Sequence, residues 1–444
     1  MENGRATLFK PRETHINIKL DPLFLKTEHD EKLGYSVEDR EFLKLMEIGF
    51  VKDEQDQWTA PLPFGTGRPN LASNRELALK RARSLDTSLQ RDTLKCEHIT
   101  EFMQKMIDNK HAEVAPQLNA ETEHWYLPIF PVYHPKKPDS VRMVFDSSAK
   151  YNGQSLNDSL LKVPDFTNSL LGVLIRFRKE AIAVTTDVEQ MFYNFKVRED
   201  HRNYLRFIWH ENNDINRPFI DYRKTVHVFG NRPSPAVATY GFRKAVENAD
   251  QDVIDFINDS FYVDDGLISC CDVQEATSLI KRSQRALYEN GHLRLHNITS
   301  NSKLVLNEFD STDLANNLKD LDLGSDELPL QRSLGLSWNI STDKIIFNVN
   351  PGMNPFTRRG VLSTINSLFD PIGFASPVVI RGKLLLREML SSSKPIDWDV
   401  SEIYLQRWES WVTSLKDLEK LRIPRMYSDI SYRNATNREI HIIL

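Results

Sequence analysis

Three carboxylates lie in settings where they could do chemistry together. Asp264 and Asp265 interrupt an apolar run, Phe261-Tyr262-Val263 before them and Gly266-Leu267-Ile268 after. An Asp-Gly pair between apolar runs is a strong hairpin signal, and Gly266 is the residue expected to supply the positive φ of the turn. Two acids at a hairpin tip must be solvated, paired or metal-bound, because an unpaired buried charge is too costly. Taken alone, Asp-Asp-Gly reads as a solvated turn. The third acid, Asp187, closes the β-branched run Ala181-Ile182-Ala183-Val184-Thr185-Thr186, which reads as a buried strand. Carboxylates converging from separate strands are what two-metal phosphoryl transfer needs, with the ions about 3.5–4 Å apart.

These segments resemble a known family. Tyr262-Val263-Asp264-Asp265 is similar to the Tyr-X-Asp-Asp box of reverse transcriptases, and Asp187 to Phe192 resembles their first catalytic motif. Further stretches resemble the Bel-Pao class of long-terminal-repeat retrotransposons: Val141 to Ser148, Ser155-Leu156-Asn157-Asp158, Phe229-Gly230 with Ser234-Pro235, Leu334-Gly335-Leu336 with Trp338, and Asp370-Pro371-Ile372-Gly373. The resemblance runs from about Ser36 to about Arg425 and keeps the family's order.

The resemblance implies an RNA-directed DNA polymerase, in which a primer 3′-hydroxyl attacks the α-phosphate of a deoxynucleoside triphosphate. Asp187 and Asp264 would ligate two Mg²⁺ ions, with Mn²⁺ as a substitute, and Asp265 would support the site; the Val188 carbonyl would complete a coordination sphere. Lys136, Lys137 and Arg142, on a fingers hairpin, would face the triphosphate. Arg142 is the strongest of these because a guanidinium grips phosphate through two parallel bonds, whereas the two lysines read equally as a solubilising tip. Phe192 would lie under the sugar and exclude a 2′-hydroxyl, its alternative being a core ring. Phe229 and Gly230 would shape the nucleotide floor, and Tyr262 would precede the paired acids. One position departs from the pattern: Asn297 stands where the family places a lysine thought to protonate pyrophosphate. A degenerate or host-retained remnant that binds nucleic acid without efficient catalysis therefore stays open, as does replacement of that lysine by a neighbouring histidine such as His296 or His292. Partners implied are an RNA or DNA template with its primer.

The elements that must position these residues read as α+β: a right-hand polymerase with fingers, a split β-α-β palm whose helices cover one face of an antiparallel sheet, and a helical thumb. The boundaries expected are 1–110 for a leader and helical extension, 111–350 for fingers and palm, and 351–444 for the thumb and the start of a connection, ending before ribonuclease H. Ser73 with Glu76 suggests a capping box for a helix to about Leu94, and Ser234 a cap for a helix to about Ala249. Trp125 to Phe145 reads as a hairpin with its tip at His134 to Ser140. Asp272 with Glu275 starts a helix ending at Gly291, and Phe356 to Leu390 reads as two helices broken at Asp370.

At 444 residues, 40% hydrophobic and 27% charged, the chain belongs among globular proteins. Three cysteines without zinc-ligand spacing argue against a disulfide scaffold or a zinc site. No secretory leader or membrane span is legible, so no membrane partner is expected and an intracellular location, cytoplasmic in a virus-like particle or nuclear, is. A net charge of −5 requires the cations to be segregated if the chain holds nucleic acid; candidate clusters are Lys80-Arg81-Ala82-Arg83, His134 to Lys137, Arg176 to Lys179 and Arg358-Arg359. No Asp-Thr-Gly or Asp-Ser-Gly suggests an aspartic peptidase, and the polypeptide reads as a piece of a longer polyprotein. The oligomeric state is not legible.

Overall fold

The computed structural model describes residues 34–68, 70–119, 121–134, 137–319, 328–349, 354–390 and 402–436. Its centre is an antiparallel sheet of four strands in the spatial order Phe261–Tyr262, Asp265–Cys270, Ile182–Val188 and Leu295–Ser300. Ile182–Val188 is the expected Asp187 strand. Ala183 and Val184 are fully buried, as β-branched and small residues in an inner strand should be. The helix Val273–Gly291 packs on this sheet with Ala276, Leu279, Ile280 and Leu287 buried along one face, as their spacing predicts. Its start is also as expected, the Asp272 side chain accepting from Glu275 N at 2.8 Å. It ends at Gly291, as expected, and His292 adopts the left-handed conformation that stops it.

A second core lies under the hairpin Ile129–His134 and Lys137–Phe145. Ile129, Met143 and Phe145 face inward, onto the helices Arg75–Leu89 and Thr93–Asp108. Alternation puts Phe130, Val132 and Arg142 on the outer face, all exposed. The second strand therefore begins at Lys137, four residues before the expected Val141. Beside it runs a three-stranded sheet, Ala112–Val114, Phe219–Lys224 and Arg206–His210. The helix Val37–Gly49 and the pair Val51–Lys52 with Trp58–Ala60 occupy part of the stretch read from the sequence as leader and helical extension.

The expected caps at Ser73 and Ser234 do not form. Ser73 Oγ lies 2.9 Å from His124 Nε2 instead of capping, and Asn74 occupies the cap position with both side-chain amide atoms bonded to the main chain of Tyr126, each at 2.7 Å. Ser234 is inside its helix, Ser234–Lys244, with its hydroxyl unpartnered. A separate helix, Gln251–Asp259, follows.

Beyond residue 328 a four-stranded sheet runs Leu330–Ser333, Leu336–Asn339, Lys344–Ile346 and Arg422–Pro424. The helices Arg358–Asn366 and Ser376–Leu390 are broken at Asp370, as expected, because its carboxylate accepts from the amides of Gly373, Phe374 and Ala375 at 2.6–3.1 Å. Helix Leu405–Ser414 completes a third core with Trp408 and Trp411 stacked at 4.9 Å. No helix among the described residues is long and apolar enough to cross a membrane.

Candidate active site

The three carboxylates meet at one end of the central sheet. Asp187 is directly opposite Asp265 on one side and His296 on the other. Directly opposed residues on antiparallel strands share a face, with Cβ atoms about 4.5–5.5 Å apart. Asp264 lies in the two-residue turn between Tyr262 and Asp265, which pair with each other. Its carbonyl accepts from Val188 N at 3.1 Å, which fastens the turn to the end of the Asp187 strand. All three acids are half-buried.

The turn is not built as the sequence suggested. Val263, not Gly266, takes the positive φ, at 61°. That is a strained place for a β-branched residue. Gly266 is already in the strand, buried, and its missing side chain makes room: a Cβ would lie 2.5 Å from Phe261 Cζ and 2.6 Å from Thr186 Oγ1. Asp265 accordingly opens the strand rather than occupying the turn.

Burial, then Asp264, Asp265 and Glu189, raise the Asp187 carboxyl to about 7. Burial followed by Asp264 raises Asp265 to about 6. Glu189 itself is paired with Arg294 at 3.1 Å. Hard oxygen donors that repel one another suit a divalent cation, and Mg²⁺ takes one or two carboxylates and completes its shell with water and phosphate oxygens. Among the described residues no group of three His, Cys, Asp or Glu side chains stands where it could hold a metal ion.

Following the Asp187 strand, Phe192 sits half-buried in the single turn Met191–Asn194. Its ring meets that of Phe229 edge to face, centroids 5.3 Å apart. Phe229 is 66% exposed and Gly230 has φ 121°, with a Cβ there falling 2.9 Å from the Phe145 carbonyl oxygen. Asn157 holds this loop: its amide donates to Gly230 O at 3.0 Å and Ser148 Oγ at 2.9 Å, and its carbonyl accepts from Arg232 N at 2.8 Å. Ser147 donates to Asn231, and the capping box of Ser155 with Asp158 fixes the short helix that carries Asn157. Three separated sequence motifs thus converge. In the sequence Asn157 is only one member of the Ser155-Leu156-Asn157-Asp158 motif, and the signal for its role is an Asn inside the short capped helix.

Arg142 is exposed on the hairpin, opposite Val132, and its charge acts on Tyr193 beside Phe192. Tyr262 is half-buried against the central core. Lys136 and the side chain of Lys137 lie outside the described residues. Asn297 adopts the left-handed conformation, φ 56°, at a bulge in its strand. Asn tolerates that conformation better than Lys, which gives the residue a backbone role. His296 is half-buried, and burial chiefly lowers its pKa. His292 is exposed, 3.7 Å from Asp56. Of the basic clusters, Arg178 is buried, stacked between Phe374 and Tyr427 at 4.9 and 4.5 Å, and Arg358 is buried as well. Lys80, Arg81 and Arg83 are exposed.

Residues 357–443 match a family described as Pao retrotransposon-like RNaseH-like domain. That stretch falls on the part read from the sequence as thumb, and its described residues carry the three helices from Arg358 onward and the strand Arg422–Pro424. No curated protein matches the chain. Two similar solved structures are of the foamy viral protease–reverse transcriptase in complex with double-stranded DNA. One, a form called dRH, has a TM-score of 0.50 at 16% identity over 92% of this chain and 62% of its own. The other has a TM-score of 0.52 at 16% identity over 87% and 69%. The chain thus spans less than two thirds of the first of these. At such identity the likeness is one of fold: a mixed α+β architecture similar to that of a retroviral reverse transcriptase. With the matched segment, it relates the chain to retroelement polyproteins.

Proposed function

We propose that the chain is the reverse transcriptase region of a Bel-Pao type retroelement polyprotein, an RNA-directed DNA polymerase using deoxynucleoside triphosphates on a primed template. The observation that carries this reading is the register that sets Asp187 opposite Asp265, with Asp264 in the adjoining turn. The central sheet would be the palm, the 129–145 hairpin the fingers and the helices from Arg358 the thumb. Asp187 and Asp264 would hold Mg²⁺, and Asp265 would support them. When bound, the two ions would stabilise the attacking and leaving oxygens. Phe192 would carry the sugar and exclude a 2′-hydroxyl. Phe229 and Gly230 would bound the base side through their loop, and Arg142 would grip the triphosphate from the hairpin.

A second reading, a nucleic-acid binder with weak catalysis, is favoured by one observation: the left-handed backbone at Asn297, which suits Asn rather than the family's lysine. One assay separates the two. Purified protein with poly(rA), oligo(dT), Mg²⁺ and labelled dTTP is expected to extend the primer. Asp264→Asn should lose about 10²–10³-fold in rate, the scale of removing one transition-state stabiliser, while duplex binding persists. Wild-type binding without extension would favour the second reading, and unchanged extension by Asp264→Asn would remove the metal assignment.

A further inference from the structure

Lys224 ends the strand Phe219–Lys224, and its side chain is wholly shut off from solvent. Its ammonium stands 4.8 Å from the ring centroid of Tyr193 and 5.1 Å from that of Phe145. Nζ has no hydrogen-bond partner among the described residues. Burying an unpaired ammonium is expensive, and burial pulls its pKa down to about 7. The neighbouring groups offer no compensating anion: His111, whose ring is 4.9 Å from that of Tyr193, is pushed down to about 4 by its own burial and then by Lys224, and Arg142 also acts on Tyr193. An apolar side chain would fill the same space without that cost. What the cation adds is attraction to two ring faces at once.

Those rings belong to two segments that adjoin the candidate site. Phe145 ends the strand that carries Arg142, and its carbonyl abuts Gly230. Tyr193 follows Phe192 in one turn. We propose that Lys224 is a positioning residue for nucleotide selection: by clasping Phe145 and Tyr193 it sets the gap between the triphosphate-facing hairpin and the Phe192 sugar floor. This rests on the polymerase reading of the site.

The test uses the full chain below pH 7, where Lys224 keeps its charge, on a primer–template ended by a dideoxynucleotide, so that dTTP and UTP affinities are read without chemistry. Lys224→Met keeps length and apolar packing. It should lower the preference for dTTP over UTP by about tenfold, the scale of one cation–π contact, and on an extendable primer should raise KM for dTTP more than it lowers kcat. Tyr193→Leu removes one of the clasped rings and should lower the preference similarly, with the double variant no worse than either single one. Should Lys224→Met fail to fold, Tyr193→Leu and Lys224→Arg carry the test: the first must lose the preference and the second, which keeps the cation, must retain most of it. A wild-type preference kept in Lys224→Met or Tyr193→Leu, or additive losses in the double variant, overturns this assignment alone. Wild-type protein that binds neither nucleotide overturns the polymerase reading and the assignment with it.

Discussion

Asp187 holds its proton to about pH 7 in the folded chain because burial and the charges of Asp264, Asp265 and Glu189 disfavour the carboxylate, whereas in an unfolded chain the same group titrates at about 3.9. The sign follows from proton linkage. Between those values the folded state binds more protons than the unfolded one, so the stabilising contribution is present at low pH and is lost as pH rises toward 7. Asp265, raised to about 6, adds to the same slope. Metal-free protein is therefore expected to show this contribution at pH 5.5 and to lack it at pH 8. On the proposed metal reading, Mg²⁺ would compete with the proton, so its addition should raise the melting temperature more at pH 8 than at pH 5.5. Asp187→Asn should flatten the pH slope and shrink the Mg²⁺ shift. Thermal melts of both proteins across pH, with and without Mg²⁺, decide the point; identical slopes and identical Mg²⁺ shifts would detach Asp187 from both effects.

At the scale of elements, the loop that carries Phe229 and Gly230 is held by a residue from a distant short helix, so its geometry should fail when that residue is cut back. Asn157→Ala leaves the Gly230 carbonyl and the Arg232 amide without their partner. A cost of about 1–3 kcal/mol is expected, measurable by denaturant titration, together with a higher KM for deoxynucleotides. Stability lost with KM unchanged would mean that the loop does not border the substrate. The same scale shows what the sequence made legible. The Asp187 strand, the hairpin of Asp264 and Asp265 and the Val273–Gly291 helix follow from local periodicity and end signals, and the structure agrees with each. Three features depended on partners far along the chain. The Ser73 box gives way to an Asn74 contact with Tyr126, 52 residues on. The basic run at Arg176 to Lys179 loses Arg178 to a bond with the Arg425 carbonyl 247 residues away. The turn strain at Val263 is imposed by the strand pairing on either side of it, which no local rule for Gly266 could supply.

At the scale of the whole molecule, one side chain joins the last sheet to the central one. Arg425 is fully buried and directs its guanidinium at the carbonyls of Phe177, Glu180 and Ala181, 2.6–2.9 Å away, just before the Asp187 strand. It also forms two bonds with Asp343, at 2.8 and 2.9 Å, and Trp338 Nε1 donates to the same carboxylate at 2.9 Å. The chain then continues along the central unit, with Tyr427 N donating to Arg178 O and Tyr432 N to Lys179 O. The C-terminal sheet is thus tied to the element that presents Asp187. Arg425→Met should cost about 1–3 kcal/mol, since it takes this donor from the Phe177 and Glu180 carbonyls and leaves the half-buried Asp343 with Trp338 Nε1 alone of the two, and Arg425→Lys should recover little because a lysine lacks the planar fork. Hydrogen exchange localises the effect. The amides of Tyr427 and Tyr432 should lose protection in Arg425→Met while those of Ile182 to Val188, bonded within the central sheet, retain theirs. If all of these amides lose protection together, Arg425 contributes to one global cooperative unit; if Tyr427 and Tyr432 stay protected, the C-terminal segment is held by contacts other than this clasp.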